Sequence, residues 1–595
     1  MRTFVGWGVA VGALAALSGC PDRDKGGDAG VPDAGPAQLA EKEPNGSLQT
    51  AMPIKGSSVV SAGISVDPAR ADEDWYVLTA EAGKPQAVDV SVSGIPGADL
   101  VLELYDQDGN ALVQVNSEGV GKGERIPNVG VKDRLWVKVA SAKKGSGGAY
   151  SLTALFADTQ PGFEVEPNDR AVDANVLPLG QAISGYLGHA ADVDWFRIEL
   201  PGAQGAAPPP GPAPAPAMED GGAEAPGDAG ASGDGGAVAP VESKSVALRI
   251  EVTGVPGVKL EVQVLSAAEA TLFDTKGKDD EGLSLRNIGV RESDQVLYVV
   301  VKSAWMGTAG KDLRRGFSSD HNYTLTVALE EAGANAELEP NVVLDKATPL
   351  PSQGGYREGF LAPKTDVDYY VLKADQPALA NVQLSGVERV DLMLSVVAPP
   401  EAETGPEKVL LRANDGALKE PEQLNNLFCP SACYLKVEGA AKKVEGKWVK
   451  DYENAETPYR LTVTTRPDVG AEEREPNNAP GQATPVALGR PIRGTVHPKK
   501  DVDYYRLDLT GRPVRTALRL TLLGILKVDV GLYLHREDDD GKLALVQTAD
   551  RAKGDKPEVI NYSAEPGMYV IEVRDSKNRE SNFQDQYQLT VEEAN

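Results

Sequence analysis

Apolar residues along most of this chain alternate with polar or small residues. Such runs between positions 88 and 156 are Val88/Val90/Val92, Leu100/Leu102/Leu104, Leu135/Val137/Val139 and Tyr150/Leu152/Ala154/Phe156. A period of two places alternate side chains on one face of a strand, and Gly, Asp and Asn residues typical of turns bound the runs. The pattern predicts short antiparallel strands with one buried face, and no amphipathic helix longer than a few turns.

One set of motifs occurs four times. Each copy opens with Glu-x-Glu-Pro-Asn, continues with Asp-x-Asp followed by two aromatic residues, and closes with a strand of the Tyr-x-Leu-Thr type. Recurrence of several motifs in one order indicates a tandem array of one structural unit. The acidic and amide positions of the motifs are Glu41, Glu43, Asn45, Asp72 and Asp74; Glu164, Glu166, Asn168, Asp192 and Asp194; Glu337, Glu339, Asn341, Asp366 and Asp368; and Glu473, Glu475, Asn477, Asp501 and Asp503.

The four copies predict four β-sandwich repeats, since about 120 residues of short alternating strands suffice for two packed sheets. We place the repeats at 41–157, 164–330, 337–466 and 473–593. The second repeat is longer because it contains a Pro/Ala/Gly-rich tract at 202–243, whose composition cannot bury a core. We expect this tract to be a disordered loop that leaves the repeat intact.

Residues 1–19 have the features of a bacterial export signal, because Arg2 precedes a 14-residue apolar stretch that is too short to span a bilayer. The following Cys20 completes Leu-Ser-Gly-Cys, which resembles the lipobox of bacterial lipoproteins, where the cysteine sulfur is acylated. An ordinary secretory peptide that carries a cysteine is the alternative. Residues 20–40 are rich in Gly, Pro and Asp, as expected of a lipidated flexible linker.

Composition argues against several classes of function. The chain has 595 residues, with 60 Lys and Arg against 88 Asp and Glu and a net charge of −28. This balance argues against a nucleic-acid partner and against docking on anionic lipid through a basic patch. Four histidines and three cysteines leave little for zinc sites or histidine-dependent catalysis, and the sequence contains no HExxH, GxSxG or GxxxxGK[ST] motif.

Cys429 and Cys433 are the two cysteines that remain when Cys20 is assigned to lipid. An exported chain meets an oxidising compartment, so we expect the two to form a disulfide across the turn at Pro430-Ser431. A metal or redox pair is the alternative, but the sequence offers no further ligands nearby.

Together, the repeated motifs and a Leu-x-Leu-Tyr-Asp-x-Asp-Gly hairpin resemble the bacterial pre-peptidase C-terminal domain, whose relatives include the collagen-binding domains of clostridial collagenases. The resemblance covers nearly all of 41–593. It implies an all-β chain of four tandem jelly-roll-like β-sandwich modules after the signal peptide and linker. It also implies a module that accompanies secreted enzymes without being catalytic. The resemblance does not identify which ligand such a module binds.

The acidic motifs predict a calcium site. Extended backbone before proline aims Glu41, Glu43 and Asn45 to one side, and Asp72 and Asp74 on the following strand would join them. Oxygen ligands without His or Cys favour calcium over zinc, and the matching positions of the collagen-binding relatives bind calcium. Asp169 and Asn478 add an oxygen donor in the second and fourth repeats, so the first and third sites should be weaker. The alternative is a turn with solvated acidic residues.

These features predict a non-enzymatic, lipid-anchored protein of the cell envelope whose tandem modules form a binding or adhesion scaffold for a protein or polysaccharide. An outer-membrane or cell-surface location is expected, with a periplasm-facing location as the alternative. Two other functions stay open: an assembly or accessory subunit of an envelope complex or secreted-hydrolase system, and a hydrolase whose catalytic centre the sequence does not reveal.

Overall fold

The computed structural model describes residues 35–594, apart from 68–71, 82–83, 202–245, 292–293, 401–404, 406, 445, 539, 552 and 554–555. The predicted signal peptide, Cys20, most of the linker and the inserted tract lie outside the described residues. The described part of the chain forms 41 β-strands and four short 3-10 turns, with no α-helix. No described helix is long and apolar enough to cross a membrane.

The strands fall into four units that follow the four motif copies. Unit 1 contains β1 Ala37–Ala40, β2 Met52–Lys55, β3 Ser58–Ile64, β4 Glu73–Thr79, β5 Gln86–Val92, β6 Leu100–Tyr105, β7 Ala111–Val115, β8 Glu124–Val131, β9 Arg134–Ser141 and β10 Gly148–Asp158. Unit 2 contains β11 Asn175–Val176, β12 Ala182–Gly185, β13 Val193–Glu199, β14 Val246–Val252, β15 Lys259–Ser266, β16 Thr271–Asp279, β17 Leu283–Gly289, β18 Val296–Ser303, β19 Trp305–Met306, β20 Arg314–Arg315 and β21 Tyr323–Glu331.

The second half of the chain repeats this order. Unit 3 contains β22 Thr348–Pro349, β23 Gly355–Leu361, β24 Val367–Lys373, β25 Ala378–Leu384, β26 Leu392–Ala398, β27 Lys408–Ala413, β28 Glu422–Cys429, β29 Ala432–Gly439, β30 Lys442–Val444, β31 Lys447–Val449 and β32 Asn454–Pro467. Unit 4 contains β33 Thr484–Val486, β34 Ile492–Val496, β35 Val502–Asp508, β36 Thr516–Leu523, β37 Val530–Glu537, β38 Leu543–Ala549, β39 Glu558–Ala564, β40 Met568–Asp575 and β41 Asn582–Glu593. The 3-10 turns are Leu48–Thr50, Ala171–Asp173, Leu344–Lys346 and Pro480–Gln482.

Each unit has two main sheets around one apolar core. In unit 4 the sheets have the orders β33-β35-β40-β37-β38 and β34-β41-β36-β39, and units 1 to 3 repeat this arrangement, with β1 as a fifth strand in the second sheet of unit 1. Pairing is antiparallel except for the first strands, such as β33, which pairs parallel with β35. Leu532 and Ile571 of one sheet and Leu520 and Leu589 of the other are fully buried in one cluster. Burial of each such side chain stabilises the fold by about 1.5–3 kcal/mol.

Consecutive units are joined by backbone hydrogen bonds at a β-bulge. Asn128, Asn287 and Asn426 have φ angles of 54°, 54° and 53°, and the register of their strands shifts beside them. Asparagine is among the residues that tolerate this conformation best. The carbonyl oxygen of each accepts from the amide of the second glutamate in the next motif copy, over 3.1 Å from Glu166, 2.8 Å from Glu339 and 2.9 Å from Glu475.

A second hydrogen bond completes each junction. The carbonyl oxygens of the same glutamates accept from Gly130 over 2.8 Å, Gly289 over 3.0 Å and Phe428 over 2.7 Å. Each glutamate precedes a cis proline. In unit 4 the matching strand β39 pairs with β36 without a register shift. The bulge at this asparagine therefore occurs in units 1 to 3, each of which bonds to the unit after it, and is absent from the matching strand of unit 4.

The prediction of four discrete jelly-roll-like sandwich modules is wrong. Strand makes up 56% of the described residues, and the strands run on as a solenoid-like array of about 20 turns rather than as four discrete modules. The physical reason lies in the junctions. At the boundary of a discrete module, backbone N–H and C=O groups would be free, whereas here they form hydrogen bonds with the next unit. Each unit thus depends on its neighbours, as in other repeat proteins. The prediction of an all-β chain is confirmed.

The predicted disulfide is confirmed. Cys429 at the end of β28 and Cys433 in β29 are bonded, with Cα atoms 5.5 Å apart. The two strands belong to different sheets of unit 3, and both cysteines are buried in its core. The bond therefore ties the two sheets together where the chain crosses between them.

Replacing Cys429 and Cys433 by alanine should lower the free energy of unfolding by about 2 kcal/mol, the chain-entropy value for so short a loop. Denaturant unfolding of the double variant checks this. Mass spectrometry of the unreduced wild-type chain should also give a mass two units below the dithiol. An unchanged stability, or free thiols in freshly exported protein, would contradict the assignment.

Candidate metal centre

The acidic motifs of each unit come together at one end of its sheets. Each Asp-x-Asp motif lies at the start of β4, β13, β24 or β35. The backbone amide after the second aspartate donates to the motif asparagine, as Trp75 does to the carbonyl of Asn45 over 3.0 Å. This bond fixes the Glu-x-Glu-Pro-Asn segment beside the strand. The predicted convergence of the two motifs is observed in all four units.

Groups of three carboxylates have oxygen atoms within 4.8 Å of one another in every unit. These groups are Glu43, Asp72 and Asp74; Glu164, Glu166 and Asp194; Glu166, Asp169 and Asp192; Glu337, Glu339 and Asp368; and Glu473, Glu475 and Asp503. All of these residues except Glu43, Asp72 and Asp169 are buried. Unit 1 thus has the most open site, and unit 2 has two overlapping groups.

The first glutamate of each motif is held by hydrogen-bond donors. In unit 3, Glu337 accepts from the hydroxyls of Tyr370 over 2.6 Å and Tyr459 over 3.1 Å, and from the amide of Phe360 over 2.7 Å. It also accepts from the side-chain nitrogen of Asn341 over 3.2 Å. Both carboxylate oxygens of Glu337 are therefore occupied. Glu337 also belongs to the unit 3 carboxylate group, so its role as a ligand stays a prediction.

The tyrosine of each closing strand was missed as part of the site. Its hydroxyl donates to the second aspartate of the motif: Tyr150 to Asp74 over 2.8 Å, Tyr323 to Asp194 over 2.5 Å, Tyr459 to Asp368 over 2.6 Å and Tyr587 to Asp503 over 2.7 Å. The repeated Tyr-x-Leu-Thr motif was the available signal. From the sequence alone, this motif predicts only the closing strand of each repeat.

Several buried oxygens face the site without a donor. Asn168 and Asp194 in unit 2 are fully buried, and the Oδ1 atom of each has no hydrogen-bond partner among the described residues. The same holds for the Oδ1 atoms of Asn45, Asp74, Asn341 and Asp368. A buried acceptor without a partner costs about 1–3 kcal/mol. Because the asparagine nitrogens donate to the first glutamates, the amide oxygens are left for another ligand.

Unit 4 differs from the others at its asparagine. The side-chain nitrogen of Asn477 donates to Glu475 Oε1 over 3.3 Å and to Asp503 Oδ1 over 3.1 Å. The asparagine oxygens that are left for a further ligand are those of units 1 to 3. The residues therefore fit a hard cation with oxygen ligands.

Burial and mutual repulsion raise the carboxyl pKa values. Burial, followed by the charge of Glu41, raises the pKa of Asp74 to about 8. Burial, followed by the charge of Glu337, raises the pKa of Glu339 to about 8. Burial also raises the pKa of Glu473 to about 7, against the hydrogen bonds that this carboxyl accepts. A bound cation favours the ionised carboxylates instead.

The remaining predicted ligands are placed differently. The Oδ2 atoms of Asp366 and Asp501 accept from the amides of Ala362 over 2.9 Å and His497 over 2.8 Å, and neither aspartate belongs to a group of three carboxylates. Asp72 and Asp192 accept similar amides but do belong to such groups. Of the two additional donors, Asp169 joins a group, and Asn478 uses Oδ1 to accept from Val502 over 2.9 Å.

Glycine makes room for these contacts, which the sequence analysis also missed. Gly494 of β34 lies opposite Tyr587, and a Cβ atom at Gly494 would collide with the Glu473 carboxylate and the Tyr587 hydroxyl. Gly185 has the same surroundings in unit 2, and a Cβ atom at Gly359 in unit 3 would collide with the Glu337 carboxylate. The close approach of tyrosine and glutamate therefore depends on a residue without a side chain.

Comparisons with known proteins add little to this geometry. No protein-family model matches the chain, and no curated protein matches it. One similar solved structure is the pre-peptidase C-terminal domain of collagenase from Bacillus anthracis, which is 23% identical, with a TM-score of 0.16, over 20% of this chain and 100% of that chain. The matched domain kind is the one that the sequence motifs resemble.

Two other solved structures share 9% identity with the chain. The CBM32-1, CBM32-2 and M60 catalytic domains of Clostridium perfringens ZmpB match with a TM-score of 0.12, over 59% of this chain and 52% of that chain. A structure titled as the triple jelly roll fold and turret assembly in an archaeal virus matches with a TM-score of 0.14, over 59% of this chain and 81% of that chain. Neither similarity carries a conclusion about function.

In chelator, the chain should lose stability as pH rises from about 4 towards 8. The pKa values of Asp74 and Glu339 are raised to about 8 in the folded chain. The folded chain therefore binds more protons than the unfolded chain in this window, so unfolding becomes easier as these protons are lost. Melting temperatures in chelator at pH 5 and pH 8 check the sign.

The variant Asp74→Asn should weaken this pH dependence, because it removes one titrating group from the unit 1 site. The matched control Asp158→Asn, which removes an exposed charge of the same unit, should leave it unchanged. A chain that melts higher in chelator at pH 8 than at pH 5 would contradict the raised pKa values.

Proposed function

We propose that this chain is a non-catalytic binding or adhesion scaffold of the cell envelope, held to a membrane by lipid on Cys20 and stiffened by calcium. The units present surface to a protein or polysaccharide ligand. Tandem units suit this role, because a second contact made by one tethered chain is intramolecular and raises avidity. An outer-membrane or cell-surface location fits a scaffold, and a periplasm-facing location fits the same attachment.

The observation that carries the calcium proposal is the set of buried, unpartnered oxygens on the motif asparagine and the second aspartate in units 1 to 3. The second glutamate, the asparagine oxygen and the second aspartate would hold the ion, as Glu339, Asn341 and Asp368 would in unit 3. Calcium prefers six to eight oxygen ligands in flexible geometry. When bound, it would compensate the buried negative charge. The chain's own residues supply the orientation: Tyr459 fixes Asp368, and Glu337 fixes Asn341.

The stiffening proposal rests on a shared residue. Glu475 belongs to the unit 4 carboxylate group, and its backbone amide and carbonyl form the junction with Asn426 and Phe428 of unit 3. Glu166 and Glu339 hold the same double position at the other junctions. An ion that orders these side chains would also restrain the backbone that joins the units.

The proposal of a non-catalytic chain rests on the sequence. The repeats and the inserted tract account for nearly all of 41–593, and the acidic groups of the repeats have the composition of cation ligands. An accessory role in an envelope complex would use the same architecture with a single protein partner. Nothing among the described residues favours it over the scaffold.

Calcium should raise the melting temperature of the full chain relative to chelator. A ligand that binds only the folded state stabilises it by about 2.7 kcal/mol at 100 times its Kd. The double variant Asp501→Asn/Asp503→Asn should bind less calcium per chain in a calorimetric titration and gain less stability. Asp503 is a predicted ligand in the unit 4 group, and the charge of Asp501 acts on its carboxyl.

The control removes two exposed charges of the same unit through Asp585→Asn and Glu592→Gln, and it should bind calcium like the wild type. Magnesium should substitute poorly because it requires a tighter octahedral shell and holds its waters. Equal stabilisation by magnesium, or equal melting in calcium and chelator, would contradict the calcium site.

Replacing Cys20 by serine should release the chain from membranes, because the variant offers no sulfur for acylation. Fractionation of cells, with a salt wash and detection of the protein in soluble and membrane fractions, checks this. The variant Cys429→Ala/Cys433→Ala is the control for loss of cysteine as such, and it should stay with the membrane. Retention of Cys20→Ser in the washed membrane fraction would refute lipid anchoring.

A further inference from the structure

A cavity of about 310 Å³ lies at the first junction, between units 1 and 2. Residues of β5, β8 and β10 line it from unit 1, and Phe163 and Tyr186 line it from the chain that follows. Among the described residues of the lining, none belongs to the carboxylate groups of the metal centre. Cavities of this size at the boundary between two structural units are typical ligand sites.

The second junction, between units 2 and 3, shows what occupies the corresponding place there. Arg286 of β17 directly precedes the bulged Asn287. Phe360 of β23 directly follows the glycine opposite Tyr459. The guanidinium carbon of Arg286 lies 4.7 Å from the centre of the Phe360 ring, and a guanidinium nitrogen lies 3.4 Å from the Glu330 carboxylate. An arginine therefore joins an aromatic ring of unit 3 to an acidic residue of unit 2.

The first junction keeps the aromatic ring but lacks the arginine. Pro127 directly precedes the bulged asparagine of β8, so it holds the place of Arg286. Tyr186 directly follows the last glycine of β12, so it holds the place of Phe360. Both Pro127 and Tyr186 line the cavity. The place that an arginine fills at the second junction is therefore open at the first.

The third junction, between units 3 and 4, lacks both groups. Asn425 holds the place of the arginine, and its side-chain nitrogen donates to the carbonyl of Phe583 over 2.8 Å. Thr495 of β34 holds the place of the ring. Ring and arginine thus occur together at the second junction and are both replaced at the third. Only at the first of these three places does a ring stand without its cation.

An acidic residue is also available at the cavity. Ala157 stands at the same distance from the closing tyrosine of its unit as Glu330 does, and the next residue, Asp158, lines the cavity. Asp158 is exposed and has no ion-pair partner within the described part of the chain. The other acidic residue of the lining is Asp89, whose two carboxylate oxygens accept from Arg125 over 3.0 and 2.6 Å. Asp158 therefore leaves the cavity with an uncompensated negative charge.

We propose that this cavity binds an arginine side chain that a peptide segment of a partner protein presents. The guanidinium plane would stack on the Tyr186 ring while its N–H groups pair with Asp158, in the way that Arg286 joins units 2 and 3. Lysine lacks this planar fork. The proposal names one ligand of the proposed scaffold and rests on that function for its purpose, whereas the binding step itself requires neither calcium nor lipid.

Exposed apolar side chains extend the site beyond the guanidinium. Leu155 of β10 keeps 43% of its surface exposed and Phe163 keeps 40%, and both line the cavity. Apolar residues of a partner that cover these two side chains would remove apolar surface from water. A segment with apolar residues beside its arginine should therefore bind more tightly than free arginine.

Saturation-transfer NMR tests the proposal with the full chain carrying Cys20→Ser and the acetylated, amidated peptide Gly-Leu-Arg-Leu-Gly. The peptide should bind, and its affinity should be the same in calcium and in chelator. Two matched peptides replace arginine by citrulline, which keeps the shape without the charge, or by lysine, which keeps the charge without the plane. Both should bind more weakly than the arginine peptide.

The variant Tyr186→Ala should weaken binding of the arginine peptide about fivefold, through loss of one cation–π contact, whereas Tyr186→Phe keeps the ring and should bind like the parent. Pro127→Arg should fill the cavity from within, as Arg286 does at the second junction, and block the peptide. Asp158→Asn should also weaken binding. The matched control Asp133→Asn removes another exposed charge of unit 1 and should leave binding unchanged.

Three results would overturn the proposal. Equal binding of the citrulline peptide would remove the role of the charge. Unchanged affinity in Tyr186→Ala and Asp158→Asn would place the peptide elsewhere on this acidic chain. Binding that requires deletion of residues 21–34 would assign the cavity to the chain's own linker, which contains Arg23. A chain that binds the arginine peptide but gains no stability from calcium would contradict the metal centre alone, so the two failures are distinguishable.

Discussion

The architecture of this chain depends on gathering several carboxylates at one end of each unit, where most of them are buried in units 2 to 4 and unit 1 is more open. Such a group is unfavourable unless hydrogen-bond donors, protons or a cation compensate it. The chain supplies part of the compensation through a tyrosine hydroxyl, such as Tyr587 on Asp503 over 2.7 Å, and through backbone amides. The oxygens that remain without a hydrogen-bond partner mark the places where a proton or a cation would compensate the remaining negative charge. Local structure around the motifs, including Gly494 beside the tyrosine, follows from this constraint.

The same constraint gives the array a direction. A bulged asparagine of one unit bonds to the glutamate backbone of the next unit, as Asn426 does with Glu475, so the two sides of each junction are different. Unit 4 has an unshifted strand at the matching place and offers no such acceptor. In repeat proteins, neighbouring units stabilise one another through their interfaces. Here the interface includes the backbone of a glutamate whose side chain belongs to the acidic group. An ion bound by that group would therefore couple to unit docking.

The sequence predicted the all-β chain, the clustering of Asp74 with Glu43, and the disulfide, because these follow from local alternation, motif recurrence and cysteine count. It failed where the contact is between distant strands. The role of Tyr150 depends on its pairing beside Asp74, and the φ angle of Asn128 depends on a bulge with no local signal. The prediction of discrete modules was wrong for the same reason. Nothing local indicates that backbone groups at a unit boundary are used by the next unit.

A scaffold of several units gains from joints whose stiffness can change. If the units move freely, a second contact can reach many ligand spacings, but the effective concentration at any one spacing is low. If an ion fixes Glu166, Glu339 and Glu475 at the three junctions, the spacing becomes defined and the entropy cost of a matching second contact falls. Calcium would then change how strongly the chain prefers ligands with one distance between their two binding sites. This effect would grow with the number of junctions between the two units that bind.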